Sequence, residues 1–126
     1  MIDIIKRREK DHFCWDIAIT RGDSGYLDLD PTDLRGKSIV LGDEDLMHIQ
    51  VREQPNGGSI LFEGLIEKDN GLVWHILPEN TENAAQDRYF WDAQIEFSNG
   101  DVFTWVPASN FILLPEVTEK DGGSGD

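Results

Sequence analysis

The sequence predicts an all-β protein, an antiparallel β-sandwich of the immunoglobulin-like or jelly-roll-like kind. Apolar residues recur at every second position in several short runs, which is typical of half-buried strands. Turn signals rich in asparagine and glycine separate these runs. Short strands joined by regularly spaced turns favour two packed sheets.

Three runs show the alternation most clearly: FCWDIAIT, LMHIQVRE and RYFWDAQIEF. In the first, Phe13, Trp15, Ile17 and Ile19 share one face and polar or small residues share the other. A second alternating segment, GYLDLD, follows it, and NFILLPEV is predicted to be the last strand, ending near Val117. We expect roughly seven to nine strands in all.

Turn residues indicate where the chain reverses. Asn99-Gly100 and Asp69-Asn70-Gly71 suit tight hairpins, because asparagine and glycine tolerate positive φ. Pro55 to Gly58 predicts a looser turn. At most one short helical turn is expected, near residues 80–86.

A chain of 126 residues is expected to form one domain with a real hydrophobic core. We expect residues 1–11 to be an N-terminal arm or first strand and residues 12–117 to be the sandwich. Residues 118–126 have the composition of a flexible acidic tail or a remnant of cloning. The first ten residues lack the long apolar core of a signal peptide.

The chain is strongly acidic, with 25 Asp and Glu against 11 Lys and Arg and a formal net charge of −14. This surplus argues against nucleic acid and anionic membranes as partners. A group of cations near the N-terminus stands apart from it: Lys6, Arg7, Arg8 and Lys10. We interpret this cluster as a candidate docking surface for an acidic partner; the alternative is a frayed terminus.

The tripeptide Arg21-Gly22-Asp23 has the sequence that integrins read on adhesion proteins. It lies between two predicted strands, and Gly22 and Gly25 bracket a polar pair suited to a turn. The sequence therefore predicts a strand connection and not an adhesion site.

No motif of catalysis or cofactor binding is present, so we expect a non-enzymatic protein without a cofactor. The Asp28–Asp33 loop loosely resembles a calcium loop, but it lacks the glycine and the distal glutamate of an EF-hand. We expect a solvated loop there, with calcium as the alternative. Cys14 lies in mid-strand and is predicted to be a buried, inert thiol.

Aromatic residues offer one candidate binding surface. Trp15, Trp74 and Trp91 fall in phase with apolar faces and are predicted to be core residues. Trp105 is out of phase with its strand neighbour Val106. Together with Phe103, it forms either a binding surface or a face toward a second sheet.

The order of these pieces resembles that of β-sandwich structural proteins of tailed bacteriophages and prophages, in particular the N-terminal domain of upper baseplate proteins. The matching pieces cover most of Phe13 to Thr118: TRGDSGYLDL, IQVRE, ILPENTENA, RYFWDAQIEFSNGDVFTW and FILLPEVT. The resemblance implies a virion component of the tail, baseplate or neck, assembled in the bacterial host cytoplasm. It also implies other virion structural proteins and further copies of the chain as partners, and a scaffold turn at Arg21-Gly22-Asp23.

Two functions remain open at this point. The first is a protein–protein assembly module that uses exposed strand edges and the basic N-terminal cluster. The alternative is a carbohydrate-binding module on a phage or bacterial surface. It would stack sugars on Phe103 and Trp105, with help from Trp74, and use the Asp28–Asp33 loop for calcium or sugar hydroxyls.

Overall fold

The computed structural model of the chain describes residues 2–9, 12–67 and 72–116, and within them it contains eight strands and one helical turn. The elements are β1 (Ile2–Arg8), β2 (Phe13–Thr20), β3 (Gly25–Asp28), β4 (Leu46–Gln54), β5 (Gly57–Glu67), β6 (Val73–Ile76), α1 (Pro78–Thr81), β7 (Arg88–Glu96) and β8 (Val102–Leu114). The all-β prediction is confirmed. The predicted hairpin at Asp69-Asn70-Gly71 and the predicted tail at 118–126 lie outside the described residues.

The strands form a six-stranded sheet in the order β1-β2-β8-β7-β4-β5 and a two-stranded sheet of β3 and β6. The strand pairings within the described residues are antiparallel, except that β2 and β8 run parallel, with Ile17 beside Phe111. The expectation of a wholly antiparallel sandwich is therefore wrong at this pairing. Parallel neighbours need a long crossover, and the chain from β3 to β7 supplies it.

The alternating apolar faces of the central strands pack against the two-stranded sheet to make the core. The six-stranded sheet contributes Ile17, Ile19, Met47, Ile49, Val51, Tyr89, Trp91, Ala93, Ile95, Phe111 and Leu113. Across the sandwich, the Trp74 ring stacks on Trp91, with ring centroids 5.5 Å apart. The prediction that Trp74 and Trp91 are core residues is confirmed, because they are 2% and 0% exposed.

Gly64 on β5 lies where Trp74 comes closest to the six-stranded sheet. A Cβ at residue 64 would lie 2.9 Å from Trp74 Nε1 and 3.2 Å from Cδ1, and the stacking on Trp91 leaves the indole little room to move away. We therefore expect Gly64→Ala to lower the free energy of unfolding by about 2 kcal/mol, as overpacked cores do. Urea denaturation measures this loss. Ser59→Ala, at an exposed position of the same strand, is the control, and an equal effect of the two changes would contradict the steric argument.

A β-bulge in β8 changes the face on which Trp105 lies. Ala93 of β7 pairs with Val106 and Gln94 pairs with Thr104, so that Trp105 is an extra residue in the ladder. Consecutive residues are therefore both buried: Trp105 is 8% exposed and Val106 is 0% exposed. β8 is one strand of 13 residues from Val102 to Leu114, whereas the sequence predicts a last strand that begins only near Asn110.

Two local predictions need adjustment. The helical turn Pro78–Thr81 begins before the predicted 80–86 segment, because Pro78 is preset for a first helical position. At the β7–β8 hairpin, Gly100 has a φ of 96°, whereas Asn99 does not adopt positive φ. The Asn99 side chain instead accepts a hydrogen bond from the Asp101 N–H at 2.9 Å, which stabilises a loop longer than a two-residue turn.

Candidate functional site

An open pocket of about 420 Å³ lies on the inner side of the six-stranded sheet. Its walls come from β1, the start of β2, the first half of β8 and the loop 32–36. This volume falls within the range of about 300 to 1,000 Å³ that is typical of ligand sites. Four of the candidate residues named from the sequence meet here: Lys6, Arg8, Phe103 and Trp105.

Aromatic rings form the floor of the pocket. Phe13 and Trp15 come from β2 and join Phe103 and Trp105 of β8. The Trp15 and Trp105 rings are 5.9 Å apart and tilted by 48°, so they do not form one flat platform. Trp105 is almost fully buried, and its Nε1 has no hydrogen-bond partner among the described residues.

The two cations of the pocket lie over this aromatic floor. Lys6 Nζ is 4.1 Å from the centroid of the Phe13 ring and 5.1 Å from that of Trp15. The Arg8 guanidinium carbon is 5.5 Å from the Phe13 centroid. Neither cation is in an ion pair with a described carboxylate. The period of two in β1 places both side chains on the inner side of the strand.

Arg7 points to the opposite face of β1 and does not belong to the pocket. Its Nε donates to Asp16 Oδ2 at 2.7 Å, and its Nη1 lies 2.9 Å from Glu9 Oε2. Asp16 Oδ1 also accepts the Asn110 N–H of β8 at 2.9 Å. Arg7 therefore does not share the side of β1 that carries Lys6 and Arg8, and Lys10 lies outside the described residues.

This Asp16 network predicts a pH-dependent contribution to stability. Burial raises the pKa of Asp16, but the hydrogen bonds from Arg7 and Asn110 outweigh burial and leave the pKa below its usual value. A depressed folded-state pKa gives stability that is present above the unfolded value of about 3.9 and is lost as pH falls through the folded value. We expect Asp16→Asn to cost about 1 kcal/mol at neutral pH and less in acid. Chemical denaturation across pH measures this, with Glu44→Gln, at an exposed residue outside this network, as control. A cost that does not change with pH would contradict the assignment.

The loop 32–36 forms the wall of the pocket across from β1. Asp33 Oδ1 accepts the backbone N–H groups of Arg35 at 2.8 Å and Lys37 at 2.9 Å, and this shapes the loop. Leu34 projects from it and is 86% exposed. No group of three or more metal-ligating side chains is found among the described residues, so the calcium alternative at Asp28–Asp33 gains no support.

The Arg21 side chain packs against the protein and does not extend into solvent. Its guanidinium donates to the carbonyl oxygens of Ala84 at 2.5 Å and Gln86 at 3.0 Å, and to Asp87 Oδ1 at 2.6 Å. Its side chain is 20% exposed. The prediction that Arg21-Gly22-Asp23 is a strand connection is confirmed.

Backbone contacts complete this turn. Gly22 has a φ of 82°, which favours glycine, and its N–H donates to Thr81 Oγ1 at 2.9 Å. The Asp23 N–H returns to the Thr20 carbonyl oxygen at 3.0 Å. The backbone of the turn therefore contacts α1 through Thr81, and the Arg21 side chain contacts the segment that follows α1.

The remaining reactive side chains have local partners. Cys14 is buried, with its Sγ 3.9 Å from the Ala108 carbonyl oxygen. His48 Nε2 lies 2.9 Å from Glu96 Oε1 on the outer sheet face.

Within the described residues, no helix is both long and apolar enough to cross a membrane.

Part of the pocket was not predicted from the sequence. Trp15 was predicted to be a core residue; it packs partly buried against the core and also lines the pocket. Phe13 was predicted only to share the apolar face of Trp15, and Leu34 was given no role, yet both line the pocket. The one signal available was the common face of Phe13 and Trp15, which continues the apolar face of Ile17 and Ile19 beyond the part that β3 and β6 cover.

Comparisons of the chain with protein-family models, curated proteins and solved structures found no match. The fold and the pocket therefore define the class: an all-β, sandwich-like protein with an aromatic pocket that carries two cations.

Proposed function

We propose that the chain is a non-enzymatic assembly module that binds other proteins, and that it serves as a structural component of a tailed-phage or prophage virion. The ordered sequence resemblance supports the virion setting. The tail, baseplate or neck is the expected station, with other virion proteins and further copies of the chain as partners.

The observation that carries the binding role is the pocket beside the outer edge of β1, which pairs with no other strand among the described residues and is called the free edge of β1 below. β1 is the outermost strand of the six-stranded sheet, and its inner side chains form the cationic rim of the pocket. Exposed edges pair readily with strands from other proteins. Ile4, which lies on the same side of β1 as Lys6 and Arg8, is 40% exposed, and Leu34 across the pocket is also exposed, which is typical of an interaction surface.

The geometry supports a protein partner better than a sugar. Carbohydrate stacking needs an accessible ring face, whereas Trp105 is 8% exposed and tilted against Trp15. Trp74, which the carbohydrate hypothesis would recruit, is a core residue stacked on Trp91.

The test is assembly with identified partners. The chain is expressed with the products of the genes beside its own, and complexes are resolved by size-exclusion chromatography with light scattering and identified by mass spectrometry. We expect stoichiometric complexes with tail or baseplate proteins, or concentration-dependent oligomers. A strict monomer that binds none of these products, or a glycan-array signal lost in Phe103→Ala, would contradict the proposal.

A further inference from the structure

We propose that the pocket binds an acidic, extended segment of a partner protein, which pairs with the free edge of β1 and places one aromatic or aliphatic side chain on the aromatic floor. This inference rests on the proposed function, because it names the chemistry of the partner at the same surface.

The charge of the rim selects an anionic partner. The chain has 25 carboxylates with which it could neutralise its cations, and its net charge is −14. Yet Lys6 and Arg8 rest on aromatic rings without a carboxylate partner among the described residues. A cation held against a ring face keeps N–H donors for a ligand. No carboxylate of the described residues therefore neutralises these two cations, and an anionic partner can do so.

The free edge of β1 selects an extended segment. Lys6 and Arg8 are two residues apart and point to the pocket side of the strand. A strand added beside β1 lies about 4.8 Å away and directs alternate side chains to that same side. Carboxylates at alternate positions of the partner then meet Lys6 and Arg8. The positions between them face the opposite side of the sheet.

The floor and the opposite wall select an apolar anchor. Phe13, Trp15 and Phe103 line the floor, and Leu34, which is 86% exposed, stands at the opposite wall. An aliphatic or aromatic side chain from the added strand would cover Leu34 and remove these rings from water. Anchors of this kind supply most of the affinity in protein interfaces, and the charges around them set specificity.

The experiment begins with a library of random short peptides, selected on the whole chain and counter-selected on the double variant Lys6→Glu/Arg8→Glu. We expect enrichment of peptides that combine alternating Asp or Glu with an aromatic or aliphatic residue. Each single charge reversal is expected to weaken binding of the selected peptides by roughly tenfold or more, with less effect at high salt. Arg88→Glu, an equal charge change at an exposed residue that does not line the pocket, leaves binding unchanged. Enrichment of neutral or basic peptides, or none, overturns the proposal.

Strand pairing has its own signature. Only every second N–H of an added strand faces β1. N-methylation of the peptide amides that face β1 is therefore expected to abolish binding, whereas N-methylation of the amides between them leaves binding unchanged. Equal tolerance of both modifications overturns the pairing. The NMR resonance of the Trp105 indole N–H reports whether the pocket is occupied. If acidic oligosaccharides bind there and peptides do not, the proposal is also overturned.

The two proposals fail in different ways. If Lys6→Glu/Arg8→Glu still assembles with virion proteins as the unaltered chain does, the assembly role stands and the pocket is not its docking site. If selected peptides bind as described but no neighbouring gene product does, the pocket chemistry stands and the virion role falls.

Discussion

Arg21→Ala is expected to destabilise the protein by about 3 kcal/mol. The substitution removes three charge-assisted hydrogen bonds, and it leaves the Ala84 and Gln86 carbonyl oxygens without the donors that hold the 84–87 segment against the end of β2. Hydrogen bonds to charged groups contribute about 1.5 to 3 kcal/mol each. The Asp87 side chain is 90% exposed, so its bond adds little, and the two bonds to carbonyl oxygens account for a total of about 3 kcal/mol. Urea denaturation measures the loss.

We call the Arg21 guanidinium with its three acceptors the Arg21 clamp. Two control variants test whether stability depends on this clamp or on the acid of the adhesion tripeptide. Arg21→Lys keeps the charge but cannot donate to two carbonyl groups and a carboxylate from a planar fork, so it recovers only part of the loss. Asp23→Ala removes the acid that an integrin ligand requires, while Asp23 itself is exposed and is held in the turn through its backbone N–H. We expect Asp23→Ala to change stability by less than about 0.5 kcal/mol. If the loss in Arg21→Ala is as small as this, the guanidinium is not a clamp.

The strands were predictable because alternation is a local property. The run FCWDIAIT coincides with β2, and RYFWDAQIEF contains all of β7, since each has one buried face and one polar face. The parallel pairing of β2 with β8 was not predictable in this way. The pairing depends on how the chain between β2 and β8 folds and therefore on which strand β8 comes to lie beside. No short window of sequence contains that information.

Part of the pocket was predictable because alternation along a strand is a local property. Lys6 and Arg8 were separable from Arg7 by the period of two in β1, once that segment is known to be a strand. The bulge that buries Trp105 beside Val106 breaks the same period, and its position depends on the register against β7. The approach of Leu34 to the floor depends on the path of the loop after β3, which has no period to read.

Asp45 shows how an acidic stretch can conceal a structural carboxylate. Among the many acids of the chain, Asp45 is 7% exposed, and both of its oxygens accept backbone N–H groups. Oδ2 accepts from Gly42 at 2.6 Å, closing the turn before β4, and Oδ1 accepts from Ser98 at 2.8 Å in the β7–β8 hairpin. The side chain therefore joins two loops that are distant in sequence.

Asp45→Ala is expected to cost about 3 kcal/mol, because it leaves the amides of Gly42 and Ser98 without their acceptor at a buried site. Asp45→Asn keeps one acceptor oxygen and should cost about half as much. Glu44→Ala, at the exposed neighbouring residue, removes the same charge and should cost less than about 0.5 kcal/mol. Urea denaturation ranks the three variants, and amide hydrogen exchange at Ser98 is expected to rise in Asp45→Ala. Equal stability of Asp45→Ala and Glu44→Ala would mean that the carboxylate is only one more surface charge.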